Sequence, residues 1–209
     1  MLDQLPYLQM SIAGLIAYCI GSLSTAIIVC KIFNLPDPRT QGSNNPGATN
    51  VMRFAGKKIA AITLAGDALK SFIPVLIAQN ILGLEAPVVA FTAFAAFLGH
   101  LYPIYFRFQG GKGVATALGC ILALSPLVAL CALFTWFIVF KATKISSLAA
   151  LTAALFCPLF LWFFNAMNIS TTSIYIIVSV LLMDIMLIIR HKDNIKRLYA
   201  GKETGFSKK

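Results

Sequence analysis

A chain of 209 residues that is 59% hydrophobic and only 11% charged, with a mean hydropathy of +0.84, falls outside the composition of soluble domains and reads as a polytopic membrane protein. A net charge of +10 on so apolar a background speaks against nucleic-acid binding and for Lys/Arg-rich cytoplasmic loops, with anionic lipid or anionic substrate close by. Cys19, Cys30, Cys120, Cys131 and Cys157 are odd in number, lie in apolar runs and form no C-x-x-C pair, so they are read as packing residues with no metal or disulfide role.

The opening Met1-Leu2-Asp3-Gln4-Leu5-Pro6 has no positive stretch, and the apolar run behind it is too long for a signal-peptide core, so this end is expected to stay as a membrane anchor. At about 20 residues per crossing, spans are expected at residues 8–33, 59–82, 88–106, 112–124, 127–140, 147–164 and 173–189. The expected fold is therefore all-α, a polytopic integral membrane protein with seven transmembrane helices forming one domain over residues 1–209. The fourth and fifth spans are short, with Ser125-Pro126 read as the turn between them.

Every Lys and Arg except Lys70 falls near residues 31–58, at Arg107 and Lys112, at Lys141 and Lys144, or within residues 190–209. With seven crossings all of these groups share one side, and the opposite side (the N-terminus and residues 83–87, 125–126 and 165–172) carries no Lys or Arg. The positive-inside rule then puts the N-terminus of this multi-pass protein outside and its C-terminus in the cytoplasm. Lys192, Lys196, Lys202, Lys208 and Lys209 are accounted for by this rule alone, and membrane lipids are expected partners of the chain.

The first cytoplasmic loop, residues 35–53, is dense in Pro, Gly and Asn and is not expected to be regular before about Gly47. A short helix from near Ala48 would aim Arg53 one turn below Thr49. Ser43, Asn44, Asn45, Thr49 and Asn50 are short hydrogen-bonding side chains, which favours a ligand-binding loop over an ordinary solvated one. In the second span Asp67 and Lys70 stand three residues apart on one face, where ionisable groups need a partner or a wet cavity. They are either a structural ion pair or a substrate contact. Asp184, deep in the last span, has no obvious partner in its own helix. His100, in the third span, is either a helix-to-helix hydrogen bond or a functional histidine.

Gln109-Gly110-Gly111-Lys112-Gly113-Val114-Ala115-Thr116 is a glycine-rich loop with one central cation, set between two apolar runs. Its exposed backbone N–H groups and the following helix N-terminus outline an anion site, the alternative being a glycine-rich connector with a snorkelling lysine at a helix end. It is not a nucleotide-binding P-loop, because Gly113 follows Lys112 where Ser or Thr is required. The tail from Arg190 is expected to continue the last helix into the cytoplasm, with His191, Asn194 and Arg197 on one face and Gly201 as its stop.

Gly42-Ser43-Asn44-Asn45-Pro46-Gly47-Ala48-Thr49-Asn50-Val51-Met52-Arg53, Gly99-His100 with Gly110-Gly111-Lys112-Gly113-Val114-Ala115-Thr116, and Arg190-His191-Lys192-Asp193-Asn194-Ile195-Lys196-Arg197-Leu198 with Gly201 and Glu203 occur in order over nearly the whole chain. In these motifs the chain resembles the bacterial acyl-phosphate:glycerol-3-phosphate acyltransferase family. The resemblance implies an inner-membrane enzyme that moves a fatty acyl group from acyl phosphate to the sn-1 hydroxyl of glycerol 3-phosphate, giving lysophosphatidic acid and phosphate. It also implies that Ser43, Asn45, Gly47, Thr49, Asn50 and Arg53 bind substrate in the first motif. Gly110, Gly111, Lys112 and Gly113 with His100 do so in the second, and His191, Asn194 and Glu203 in the third. Asn44 and Pro46 are assigned nothing. Ser43, Arg53, Lys112, His191 and Asn194 are taken as the catalytic set. Asp67, Lys70, Thr116 and Arg197 join the substrate- or phosphate-binding group.

The residues themselves limit the chemistry. Neither His100 nor His191 is followed at the right distance by Asp, so a His-x4-Asp base pair is missing. There is no Gly-x-Ser-x-Gly elbow and no motif cysteine, which disfavours an acyl-enzyme. Acyl phosphate is already an activated anhydride, so placement and charge neutralisation are the main requirements. A phosphate monoester with a second pKa of about 6 is able to take the hydroxyl proton itself. Lys112 with the 110–113 amides is assigned to one phosphoryl group and Arg53 with Ser43 to the other, or the reverse. No metal, no cofactor and no obligate protein partner is expected. The competing class is a membrane anion transporter, but such proteins usually carry internal repeats, and none is visible.

Overall fold

The computed structural model describes residues 5–206, and every regular element in them is helical. A chain this apolar has few alternatives, because backbone N–H and C=O groups in hydrocarbon must pair within the protein. The expectations on residues 1–4, and on Lys208 and Lys209, lie outside the described residues. The fold divides between Leu124 and Ser125 into two units, which are taken in turn.

In the first unit, α1 (Leu5–Gly21) and α2 (Thr25–Ile32) form one apolar stretch broken at residues 22–24, whereas the sequence suggested a continuous span over 8–33. The break leaves backbone groups that lipid cannot satisfy. The Leu23 carbonyl takes Lys70 Nζ at 2.7 Å, and the Thr25 N–H points at Asp67 Oδ1 at 3.4 Å. The buried pair on the next helix therefore has an immediate structural use, as cap of a helix break.

That helix, α3 (Ala48–Leu76), runs on into a π-helical turn (Ile77–Ile81). It is kinked at Gly56, whose φ of 83° and ψ of 177° belong to no helix. An L side chain there is strained, although the space a Cβ would occupy is open. The eight residues before the kink form an arm. Its Val51, with Ile59 and Ala60 beyond the kink, shares a core with Ala26, Val29 and Cys30 of α2. Leu35, at the start of the first polar loop, packs against the same core. Helix α4 (Ala86–Leu101) packs on α1 through small residues: a Cβ on Gly21 would overlap the backbone of Ala96, and one on Gly99 that of Tyr18 and Ser22. A 3-10 turn (Ile104–Phe106) and the glycine loop lead into α5 (Val114–Leu124), which packs on α3 with Gly119 against Ala68.

The second unit holds α6 (Pro126–Thr143), α7 (Ser146–Ala166), α8 (Ile174–Arg190) and α9 (Lys192–Tyr199). Val128, Ala129 and Ala132 of α6 and Ala149, Ala150, Ala154 and Cys157 of α7 are buried. These small side chains let the helices approach, while Leu130, Phe134, Leu155, Leu159 and Trp162 stay exposed in the manner of lipid-facing residues. Asp184 of α8 is buried, and its Oδ2 has no partner among the described residues.

The expected seven spans resolve differently among the described residues. Five stretches (Leu5–Ile32, Ala48–Ile81, Ala86–Phe106, Pro126–Thr143 and Ser146–Ala166) are long and apolar enough to cross a bilayer, and α8 with α9 makes a sixth only as a pair bent by 58°. The expected span over 112–124 shortens to the 11 residues of α5. Glycine keeps residues 110–113 out of the helix, so α5 rises roughly 16 Å where a bilayer core is about 30 Å thick. The tail does not continue the last helix either. Helix α8 stops at Arg190, and α9 leaves in a new direction after His191.

Candidate active site

The first polar loop is built around Asn50. This residue lies on the first turn of α3 and is buried, with its side-chain Oδ1 accepting the Ser43 N–H at 2.9 Å. Its Nδ2 donates to the carbonyls of Pro38 and Gln41 at 2.9 Å and of Asn45 at 3.1 Å. Two N–H hydrogens serve three carbonyls, so the amide is fully committed to the chain around it. Asn50 therefore shapes the loop, and the residues it presents are the candidates for ligand contact. Ser43 and Arg53 are exposed, while Asn45, Gly47 and Thr49 are half-buried. Asp37 and Arg39 close the near end of the loop with a 2.6 Å ion pair. The hydrogen bonds from Arg39 hold the Asp37 carboxyl below its usual range against the opposing effect of burial.

The second loop folds back on the end of α4. Phe108 N–H donates to Pro103 at 2.9 Å, and Gly111 N–H donates to the carbonyl of His100 at 3.2 Å. Gly110, Gly111 and Gly113 are buried and Lys112 is half-buried, so this backbone is enclosed by protein with its one cation at the edge. The loop cannot carry a larger residue at 111, because a Cβ there would run into His100 Nε2 and come within 3.3 Å of the Pro46 carbonyl. The two loops of the first unit therefore meet at the α-carbon of Gly111, with the His100 ring as third party. Thr116 is placed elsewhere. Fully buried on α5, its carbonyl accepts the Ser71 hydroxyl of α3 at 2.8 Å, and its own hydroxyl has no partner among the described residues.

His100 occupies the last turn of α4. Its Nδ1 lies 2.9 Å from Lys70 Nζ, which also contacts Asp67 Oδ1 at 2.8 Å. Asp67, Lys70 and His100 thus form one buried cluster joining the break in the first span to the glycine loop.

The third motif, in the second unit, is closed by Glu203. The Ser147 hydroxyl donates to its Oε1 at 2.6 Å, Asn194 Nδ2 donates to the same oxygen, and Arg197 Nε donates to Oε2 at 2.6 Å. Burial raises the Glu203 carboxyl, but these three hydrogen bonds and the Arg197 charge outweigh it and keep the group below its ordinary value. With both oxygens occupied, Glu203 is a clasp for the tail. Gly201, at φ 64°, turns the chain back after α9, with Lys202 N–H bonded to the Arg197 carbonyl at 2.8 Å. His191 is only 2% exposed, and its Nδ1 lies 2.8 Å from the Leu187 carbonyl. A carbonyl can only accept, so Nδ1 carries a proton. Ser147, Ser71 and the carbonyls of Leu23 and Pro46 were not visible as site residues in the sequence. Each is brought in by a contact across the fold, with no local signal.

Residues 11–201 match the family model for glycerol-3-phosphate acyltransferase. A glycerol-3-phosphate acyltransferase of Methylobacillus flagellatus is 54% identical over 92% of this chain and 95% of its own length. Among solved structures, the glycerol 3-phosphate form of PlsY (YgiH), an integral membrane glycerol 3-phosphate acyltransferase, superposes with a TM-score of 0.88 at 38% identity, covering 95% of this chain and 96% of that one. Its lysophosphatidic acid form gives a TM-score of 0.86 at 37% identity, covering 95% of each chain.

Proposed function

The chain belongs to the glycerol-3-phosphate acyltransferase family, and we propose that it transfers a fatty acyl group from acyl phosphate to the sn-1 hydroxyl of glycerol 3-phosphate, releasing lysophosphatidic acid and phosphate. The observation that carries this reading is the meeting of two polar loops at Gly111, one holding Lys112 among enclosed backbone amides and the other presenting Ser43 and Arg53. Two phosphorylated substrates need two such anion holders. Lys112, at the edge of the glycine loop whose Gly111 N–H is already given to the His100 carbonyl, takes one phosphoryl group, and Arg53 with Ser43 takes the other.

The sn-1 oxygen attacks the acyl carbonyl carbon, the bond from that carbon to the phosphate oxygen breaks, and the hydroxyl proton ends on a phosphate oxygen. A phosphate monoester has a second pKa of about 6, so the substrate itself serves as acceptor. In this scheme His191, whose Nδ1–H is given to the Leu187 carbonyl, serves as an orienting group by accepting at Nε2 from the phosphate O–H that forms as the proton is transferred, with Asn194 assisting, while Asn50 and Glu203 hold their own segments in shape. No metal, coenzyme A or protein partner enters the reaction.

The same reading makes this a cytoplasmic-membrane protein with seven crossings, α5 being the short one, with the N-terminus outside and the C-terminus inside. The distribution of Lys and Arg supports it. Tags at Glu85 and Asn168 are expected outside and tags at Arg39 and Lys144 inside; a cytoplasmic Asn168 breaks the scheme. The deciding experiment is turnover by purified protein. Lysophosphatidic acid and phosphate are expected in equal amounts from acyl phosphate, none from acyl-coenzyme A, and no loss with EDTA. Absence of product from acyl phosphate, or a requirement for magnesium, overturns the proposal.

A further inference from the structure

Lys70 does more than its pairing with Asp67 requires. An ammonium group has three N–H donors and no lone pair. Here three acceptors surround it, the Leu23 carbonyl at 2.7 Å, Asp67 Oδ1 at 2.8 Å and His100 Nδ1 at 2.9 Å. The first two suffice to cap the helix break and neutralise the charge. The third contact reaches a ring on another helix and decides where its proton sits.

We propose that Lys70, held by Asp67, is a positioning residue that fixes His100 as its Nε2–H tautomer, so that a hydrogen-bond donor faces the point where the two loops of the first unit meet. The ammonium is 2.9 Å from Nδ1 and the Asp67 carboxylate oxygen is farther off at 3.7 Å, so Nδ1 offers its lone pair to Lys70, which leaves the single imidazole proton on Nε2. Nε2 lies against the α-carbon of Gly111, beside which the Pro46 carbonyl of the first loop also sits. Every oxygen that comes to this place, from the backbone or from a phosphoryl group, is an acceptor. The opposite tautomer would point a lone pair at it. Lys70 and Asp67 therefore need touch no substrate to matter for its binding. The side chains of both are almost fully enclosed, 6% and 3% exposed, which suits a support and does not suit a contact residue.

The kinetic part of this proposal rests on the acyltransferase reading, whereas the tautomer rests on geometry alone, and the test separates the two. The chain has two histidines, so imidazole 15N spectra of labelled protein in lipid nanodiscs resolve into two sets, assigned with a His191→Gln variant. Wild type is expected to show His100 as a neutral ring protonated on Nε2. Removing Lys70 alone would strand a buried carboxylate, so the variant is Asp67→Asn/Lys70→Met, which carries neither charge. In it His100 is expected to lose the single-tautomer signature, and kcat/KM to fall about ten- to hundredfold, chiefly through KM for the phosphorylated substrates.

An Nδ1–H ring or an imidazolium in active wild type overturns the proposal without any variant, so a double variant that fails to fold does not shelter it. A folded double variant with an unchanged spectrum or an unchanged KM also overturns it, and reduces the pair to a cap of the helix break. Wild type that shows the expected tautomer but turns over no acyl phosphate refutes the acyltransferase reading and leaves the tautomer assignment standing.

Discussion

His100 and His191 are both buried and both held through Nδ1, but by partners of opposite kind. A lysine ammonium donates to the first, and the carbonyl of Leu187, four residues back, accepts from the second. One ring therefore turns a donor outward from Nε2, and the other, when neutral, turns out a lone pair. Long-range contacts build both surroundings: Lys70 reaches His100 over 30 residues and Leu23 over 47, and Ser147 reaches Glu203 over 56. The tail beside His191 adds local bonds, Asn194 and Arg197 meeting Glu203 over nine and six residues. A ring gripped from a distant segment depends on the packing of its unit, whereas the His191 ring is gripped by its own helix, four residues back.

The sharpest way to break this comparison is to remove the cation of the distant-contact site. Lys112→Ala is expected to lower kcat by at least about a thousandfold with the fold intact. Lys112→Arg should recover it only in part, since a planar fork replaces a compact charge between glycines. Near-normal turnover in Lys112→Ala would make the glycine loop a plain connector.

His191 tests the other ring. As an orienting group it is replaced better by Gln, which keeps a side-chain hydrogen-bonding group, than by Ala, and the gap in kcat/KM should be about tenfold or more. A general base would behave differently, because such groups contribute about 10²–10⁴-fold and set a limb of the pH–rate profile. If folded His191→Gln is inactive at neutral pH and has lost the acidic limb, His191 is the base and the substrate phosphate is not.

Asn50→Ala should loosen the first loop, since three carbonyls and one N–H lose their partner together. We expect faster protease cleavage within residues 38–45 and a stability loss of about 1–3 kcal/mol. Unchanged cleavage would mean that the arm's packing on α2 suffices to hold the loop. The smallest effect is expected at Glu203. Its lowered carboxyl pKa means that its contribution is complete above the ordinary glutamate range and is lost as pH falls through the lowered value. Glu203→Gln should therefore flatten the acid side of the stability–pH curve, by no more than about 1 kcal/mol because Arg197 is 42% exposed. A steeper acid side in the variant would contradict the assignment of Glu203 as a clasp.

What could be read in advance follows the same division by distance along the chain. Apolar run lengths located most helices, and the stop at Gly201 was visible because turn chemistry is local. Asp67 and Lys70 were legible as a pair from their spacing, but their use was not, because run length passes over the break at residues 22–24 that they cap, although Gly21-Ser22-Leu23-Ser24-Thr25 is a small, polar stretch at which a helix can break. The short α5 was overestimated for a related reason: run length counts the residues up to the loop, whereas glycine conformations decide where the helix begins. Asn50 and Glu203 were recognised as motif residues and assigned to substrate. The structure commits their side chains to the protein itself, a distinction that residue type cannot convey.

Gly56 shows how a position with no contacts can look indispensable. Nothing lies within 4 Å of the Cβ it lacks, yet its φ of 83° and ψ of 177° belong to a region that other residues enter at a cost of about 1–3 kcal/mol. Any substitution must either bear that strain or straighten α3, and straightening would pull the Arg53 arm off α2. In a saturation screen scored by growth, Gly56 would fail with nearly every replacement and rank beside Lys112. A map of such scores drawn onto the sequence would enlarge the apparent substrate pocket by a residue whose only function is to let a helix change direction.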